Sequence, residues 1–216
     1  MTTARLPVLG LIGAIGAGKS TAARCFAHRG GFVIDCDVLG HRALDAAPVR
    51  QAIVTRWGQS VLNDEGRVNR SALGKIVFGT PQEREALESI VFPVIGDLAR
   101  AEIANATPQS RFVVLDAATL LEAGWADHCD RIVYVDAPRA QRVQRLATRS
   151  GWDEAELTRR ELAQLPAEVK QARAHAIIRN DAGVPELQDR VDQLLKEWNE
   201  PLRLNPIAAP RTEDRT

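Results

Sequence analysis

No run in this chain reaches the ~18 apolar residues that a bilayer crossing needs, and its first residues carry no apolar core of a secretion signal. Neither a membrane nor a secretory setting is therefore expected. Excess charge of one sign is also missing. The 28 Lys and Arg residues balance 28 Asp and Glu, which removes the positive field that draws a protein to nucleic acid. Cysteine is scarce and odd in number: Cys25, Cys36 and Cys129 stand far apart and form neither a zinc-ligand pattern nor a disulfide framework. A reducing compartment, the cytoplasm, follows as the expectation, with Cys25 placed in the apolar run of a helix as a core residue. Lysine is confined to Lys19, Lys75, Lys170 and Lys196, and no internal repeat or low-complexity tract is present. What remains is ordinary: 216 residues and 45% hydrophobic content are enough for one α/β domain with insertions.

Against that background one stretch stands out. Four apolar residues, Val8, Leu9, Leu11 and Ile12, run into Gly13-Ala-Ile-Gly-Ala-Gly18-Lys19-Ser20-Thr21 and then into a helix-forming segment. This is Gly-x-x-x-x-Gly-Lys-Ser/Thr between a strand and a helix, the setting of a phosphate-binding loop. A bare glycine-rich turn would match the four fixed positions by chance in on the order of one such chain in a hundred. Successive backbone N–H groups must close on one anion, and side chains at Gly13, Gly16 or Gly18 would crowd that approach or forbid the positive φ it needs. The helix from Lys19 adds its positive dipole end. Gly13, Gly16, Ala17, Gly18, Lys19, Ser20 and Thr21 are thus expected to hold the nucleotide. Lys19 places a charge near the β and γ phosphates, and the Ser20 hydroxyl takes a Mg²⁺ position.

The remaining periodicities predict a parallel sheet flanked by helices. A strand over 8–12 and a helix over 19–28 lead to a short β-rich run, Phe32-Val33-Ile34, which ends in Asp35-Cys36-Asp37. Two strands joined by one helix make a βαβ unit, with the second strand expected to end beside the phosphate loop. Residues 38–104 read as mainly helical, broken by a turn at Asn63-Asp64-Glu65-Gly66, with a helix starting at Pro81. Further strands are expected at 111–115, ending at Asp116, at 131–135, ending at Asp136, and at 176–178. Residues 139–165 read as two arginine-rich helices separated at Gly151-Trp152-Asp153, with Arg142, Arg145 and Arg149 sharing one face. Residues 185–198 suit an amphipathic last helix. A short lead over 1–7 and a proline-containing tail over 201–216 are expected to be disordered.

Three classes use such a loop: small-molecule kinases, switch GTPases and mechanical or assembly ATPases. GTPases also read guanine with Asn/Thr-Lys-x-Asp, and none of the lysines sits in that setting. Asp37-Val-Leu-Gly40 matches Asp-x-x-Gly but follows Ser20 too closely to leave room for a first switch loop. The size and the arginine-rich helices favour a kinase. Such an enzyme needs phosphates held, developing charge neutralised, water excluded and a carboxylate near the acceptor hydroxyl. Asp37 suits the last role, Asp35 is the alternative or a helix cap, and the forked donors of an arginine suit the charge role.

These residues resemble the dephospho-coenzyme A kinase family. The likeness rests on Leu11 to Thr21, on Val33-Ile-Asp-Cys-Asp-Val38, on Asn69 to Phe78 and on Leu115-Asp-Ala-Ala-Thr-Leu-Leu-Glu-Ala-Gly124. It continues through Val135-Asp-Ala-Pro138, Arg145-Leu146, Gln164, Pro166, Lys170, Arg173-Ala174 and Ile178 to Gly183. It departs at Phe92-Pro93, where the family usually has His-Pro, at Ala118-Thr119 for Pro-Leu, and at His175 for Asp. The resemblance implies one P-loop domain over 7–200, with core segments 7–37, 110–138 and 174–198. A helical coenzyme-binding part covers about 38–105 and a lid about 139–173. It implies phosphorylation of the ribose 3′-hydroxyl of dephospho-CoA by ATP with Mg²⁺, Asp37 as base and Arg145 as the lid arginine facing the transferred phosphate. A monomer or small homo-oligomer, working without nucleic acid or membrane, is expected. Asp116 and Glu122 stay open between holding Mg²⁺ through water and pairing a lid arginine.

Overall fold

The computed structural model describes residues 5–106 and 109–198. Five strands, β1 (Val8–Gly13), β2 (Gly31–Asp35), β3 (Phe112–Asp116), β4 (Arg131–Asp136) and β5 (Ala176–Arg179), form one parallel sheet in the order β2-β3-β1-β4-β5. The strands are short apolar runs because both faces are covered. Along β1, Val8 and Ile12 face one apolar layer while Leu9 and Leu11 face the other, as the two-residue period of a strand requires. One layer is closed by α1 (Lys19–Ala27) and α9 (Val184–Glu197), which brings Phe26, Leu187 and Val191 onto the sheet. The other is closed by α2 (Cys36–Asp45), α3 (Ala47–Trp57), α4 (Arg70–Val77) and α5 (Pro81–Ala104). No helix among the described residues is long and apolar enough to cross a membrane.

Helix starts are set by capping side chains. The Asp35 carboxylate accepts from the N–H groups of Asp37 and Val38, the Asn69 carbonyl from Ala72, and the Thr80 hydroxyl from Glu83. The Asn63 to Gly66 turn is closed by the Asn63 side chain, which accepts from Glu65 and Arg67.

One expectation changes. The β1-α1-β2 crossover does not leave its strands adjacent, because β3 lies between them, with Leu11 opposite Asp116 and Asp116 opposite Asp35. The strand ending nearest the phosphate loop on that side is therefore β3. The two helices expected over 139–165 are α6 (Arg139–Ser150) and α7 (Glu154–Glu161), separated at Gly151 to Asp153, with Asp153 capping α7 through Glu156 N–H; a further short helix, α8 (Ala167–Arg173), follows them. Of the expected lead, residues 1–4 lie outside the described residues, as does the 201–216 tail. Arg5 is described and pairs with Asp130.

His175, at the departure where the resemblance implies Asp, ties β5 to β4 through the backbone of Ile132. Its Nδ1 accepts from Ile132 N–H at 3.0 Å and its own N–H donates to the Ile132 carbonyl at 2.8 Å. Partial burial and the Arg131 charge push the imidazole below its usual value, which favours the neutral ring that can accept. For a base with a lowered folded pKa, the unfolded chain binds the extra proton first. This contribution is therefore complete above the ordinary value of about 6.5 and is lost as pH falls through it. His175→Asn keeps an acceptor without the titration. Chemical denaturation at pH 7.5 and 5.5 should show a smaller acid loss in the variant than in the wild type; equal losses would rule the assignment out.

Candidate active site

The loop between β1 and α1 is built for an anion. Gly18 caps α1 at φ 87° and Gly16 has φ 78°, both in the left-handed region. A Cβ on Gly18 would also strike the Asn180 side-chain amide, and one on Gly13 would meet the Val135 carbonyl at 2.5 Å. Ala14 N–H donates to Val135 and Ala17 N–H to Ala14, so those two donors are spent within the fold. The N–H groups of Ile15, Gly16, Gly18, Lys19 and Ser20 have no hydrogen-bond partner among the described residues. Five unspent donors around one loop, at a helix N-terminus, form a cradle for phosphate.

The loop is braced from behind. Asn180, buried at the end of β5, donates from Nδ2 to the Ala17 carbonyl at 2.7 Å. Arg145 of α6 donates to the Ala17 carbonyl at 3.3 Å, the Asn180 carbonyl at 2.9 Å and Gln141 at 3.1 Å. Arg142 donates to the carbonyls of Ile15 and Ala137, both at 3.1 Å, and is neutralised by Glu161 of α7. Of the three arginines expected on one face, Arg142 and Arg145 converge on the loop, whereas Arg149 stays exposed. Arg139 ties α6 to α7 through Glu154 and Glu161.

Lys19 forms an ion pair and a hydrogen bond with Asp116, which is the residue that β3 carries to the edge of the loop. Burial pushes the Asp116 carboxyl up, the Lys19 ammonium pulls it back, and the charges of Asp35 and Asp37 raise it further. Three carboxylates from two strand ends thus act on each other with Lys19 beside them. Asp35 is occupied as the cap of α2, which leaves Asp37, in the first turn, to face a cavity of about 660 Å³. Apolar residues of α4 and α5, among them Leu73, Val77, Val91 and Phe92, line that cavity opposite Asp37. Phe92, in place of the family's usual His, packs edge-on against Trp125 at 5.4 Å. Cys36 lies beside Asp37 in the same wall, and burial, joined by the Asp116 charge, pushes its thiol up to about 12, which disfavours the thiolate.

A second cavity, about 560 Å³, opens between Gly13 to Ile15 and the α7–α8 connection. Between the two cavities sits a buried hub. Lys170, 2% exposed, donates to the Ala118 carbonyl at 3.0 Å and to Gln164 at 2.9 Å, and pairs with Glu122 at 2.9 Å. Glu122 also accepts from Leu165 N–H. Of the alternatives left open for Glu122 and Asp116, neither pairs a lid arginine: Glu122 partners Lys170, and Asp116 partners Lys19. The departure at Ala118 costs this hub nothing, because the contact uses a backbone oxygen.

The donors suit Mg²⁺ as kinases hold it. Among the described residues no group of three or more His, Cys, Asp or Glu could hold a metal by itself. Mg²⁺ does not ask for one: it keeps waters and takes one or two protein oxygens together with phosphates. The Ser20 hydroxyl is exposed at the start of α1 without a partner among the described residues, and the Asp116 carboxylate is the hard oxygen at the adjacent strand end.

This geometry matches the result of comparison with known proteins. The family model described as CoaE, dephospho-CoA kinase, matches residues 7–186. The chain belongs to the dephospho-CoA kinase family. A dephospho-CoA kinase of Geobacter metallireducens is 38% identical over 92% of this chain and 98% of its own length. A solved Thermus thermophilus structure superposes with a TM-score of 0.77 at 31% identity, over 90% of this chain and 98% of the other. The dephospho-CoA kinase from Campylobacter jejuni, at 22% identity and a TM-score of 0.63, covers 88% of this chain and 96% of its own and shares the fold.

Asn180 and the Lys170 hub are the members of the site to which the sequence assigned no role, whereas Asp116 already stood at an expected strand end with a Mg²⁺ role left open. Asn180 likewise stands just where a short apolar run ends, the signal that could have marked it.

Proposed function

We propose that this chain transfers the γ-phosphoryl group of ATP to the ribose 3′-hydroxyl of dephospho-CoA, giving coenzyme A and ADP in the cytoplasm. The observation that carries the reading is the set of five unspent loop N–H donors next to Lys19, with Asp37 facing a separate, mainly apolar cavity. One side is made for phosphate, the other for a nucleoside-sized acceptor.

Asp37 accepts the proton of the 3′-hydroxyl as its oxygen bonds to the γ-phosphorus, and the bond to the β-phosphate oxygen breaks to release ADP. Lys19 and the loop N–H groups take up the charge that develops on the phosphoryl oxygens and on the leaving group. Ser20 and Asp116 would hold Mg²⁺, which would offset the negative charge of the phosphates. Arg145 keeps the loop's carbonyls turned away from the phosphates by bonding Ala17, and its position next to Gly18 supplies positive charge to the nucleotide side. Helices α6 to α8 act as the lid, and residues 38–105 as the acceptor-binding part.

The test is ADP release from purified protein with ATP and Mg²⁺. Release should depend on dephospho-CoA and not occur with shikimate, sugars or free nucleosides at the same concentration. ATP binding without acceptor-dependent ADP would overturn the reading.

A further inference from the structure

Glu161 breaks a local rule. It is the last residue of α7, where the helix dipole is negative and a carboxylate is disfavoured. Arg159 and Arg160 in the same turn are the residues that suit that end. Contacts from outside α7 place the Glu161 carboxylate instead. Its Oε1 accepts from Arg142, and its Oε2 accepts from Arg139 at 2.6 Å. Burial pushes the Glu161 carboxyl up, but the hydrogen bonds from Arg142 and Arg139 outweigh it and hold the group below the usual carboxylate range. It therefore stays ionised between two guanidinium groups. Arg139 also donates to Glu154 and to the Thr158 hydroxyl, so three positions on one face of α7 are docked onto the start of α6.

Arg142 carries this tie on to the phosphate loop. The Nη1 that meets Glu161 also donates to the Ile15 carbonyl at 3.1 Å, and Nε donates to the Ala137 carbonyl at 3.1 Å. In a trans peptide the carbonyl of one residue and the N–H of the next point in opposite directions. With the Ile15 carbonyl on Arg142, the Gly16 N–H is turned the other way, and it is one of the five unspent donors of the cradle. A Cβ on Gly16 would come within 2.9 Å of Leu146 Cδ1 and 3.2 Å of the Arg142 carbonyl, so this side of the loop rests directly on α6. Glycine at φ 78° has no Cβ to oppose rotation of that peptide, and an outside contact has to fix it.

We propose that Glu161 is a positioning residue for nucleotide binding: it holds Arg142 on the Ile15 carbonyl and so keeps the Gly16 N–H turned into the phosphate cradle. This rests on the reading that the loop is the ATP site. The Arg142 side chain is 11% exposed, and a charge so far from water needs a counter-charge to stay there. Among the described residues its one ion pair is with Glu161. Without that carboxylate the guanidinium is drawn out to water and releases Ile15. The last residue of α7 thus sets how tightly the loop takes phosphate, acting through Arg142.

Calorimetric titration of the full chain with ADP, followed by steady-state kinetics, tests this. Arg142→Met should weaken ADP binding about 10-fold and raise KM for ATP to match, the loss of one phosphate donor. Glu161→Gln should weaken both about threefold, and in the Arg142→Met background it should add nothing further, because Glu161 acts through Arg142. KM for dephospho-CoA should move less than about twofold, and kcat should fall less than KM for ATP rises, since the donor binds ground state and transition state alike. Arg142→Lys keeps a donor for Ile15 and a charge for Glu161, and should recover most of the ADP affinity. Glu161 keeps Arg139 as a partner in every Arg142 variant, so no carboxylate is left without a counter-charge. A merely structural role would lower kcat through the active fraction and leave the ADP affinity and both KM values unchanged. That result, or additive losses in the double variant, overturns the proposal alone. Wild-type protein that binds no ADP overturns the loop reading and the proposal with it, and is measured first.

Discussion

Lys19→Met should lower kcat/KM at least ~10³-fold, the largest loss expected from any single change, because the ammonium group at the phosphate loop disappears. The structure adds a second consequence. Lys19 is the partner of Asp116, whose side chain is 5% exposed, so the variant leaves a buried carboxylate unpaired. Breaking such a pair costs about 3 kcal/mol. The sign with pH follows from Asp116, whose folded pKa is already raised by burial and rises further without the ammonium. A carboxyl with a raised folded pKa binds protons more tightly in the native chain, so stability falls as pH rises above the ordinary carboxylate range. Urea denaturation should therefore show Lys19→Met much weaker than wild type at pH 8 and less so at pH 5. Adding Asp116→Asn should recover most of the lost stability at pH 8 but none of the turnover. A double variant that regained activity, or a single variant of wild-type stability, would refute the pairing as described.

Asp37→Asn should reduce kcat at least ~10²-fold with little change in either KM, if its carboxylate takes the hydroxyl proton. Its neighbour provides the control. Asp35 accepts from the N–H groups of Asp37 and Val38 as the cap of α2, and Asn caps as well as Asp. Asp35→Asn should thus leave both kcat and stability near wild type, while Asp35→Ala should cost about 1 kcal/mol of stability. If Asp35→Asn lost more activity than Asp37→Asn, the two roles would have to be exchanged.

The two acidic residues illustrate how much was legible beforehand. The sequence placed both at the end of a β-rich run, and the local hydrogen bonds that separate cap from free carboxylate span only two or three residues. The Gly13 to Thr21 loop is likewise local: its glycines and its lysine lie within nine positions, between the end of β1 and the start of α1, with Gly16 and Gly18 at positive φ. The insertion of β3 was not legible. Alternation along β1 shows that both faces are buried, but it carries no information on which strand lies alongside. The pairing of Lys19 with Asp116 joins residues 97 positions apart, and that of Asn180 with Ala17 joins residues 163 apart.

By itself, then, the sequence determined the chemistry of the donor side, the strand and helix periods, and through its motifs the family. Each of these is written in residues close together along the chain, where backbone geometry alone relates them. Only the tertiary structure decided the rest: that β3 separates β1 from β2, that Asp116 and not the end of β2 stands at Lys19, that Lys170 is buried against Glu122, and that Glu161 of α7 meets Arg142 beside the phosphate loop. Those are choices among packings that bury similar apolar area. They are settled by which arrangement also gives each buried charge a partner, a condition on the whole fold rather than on any one segment.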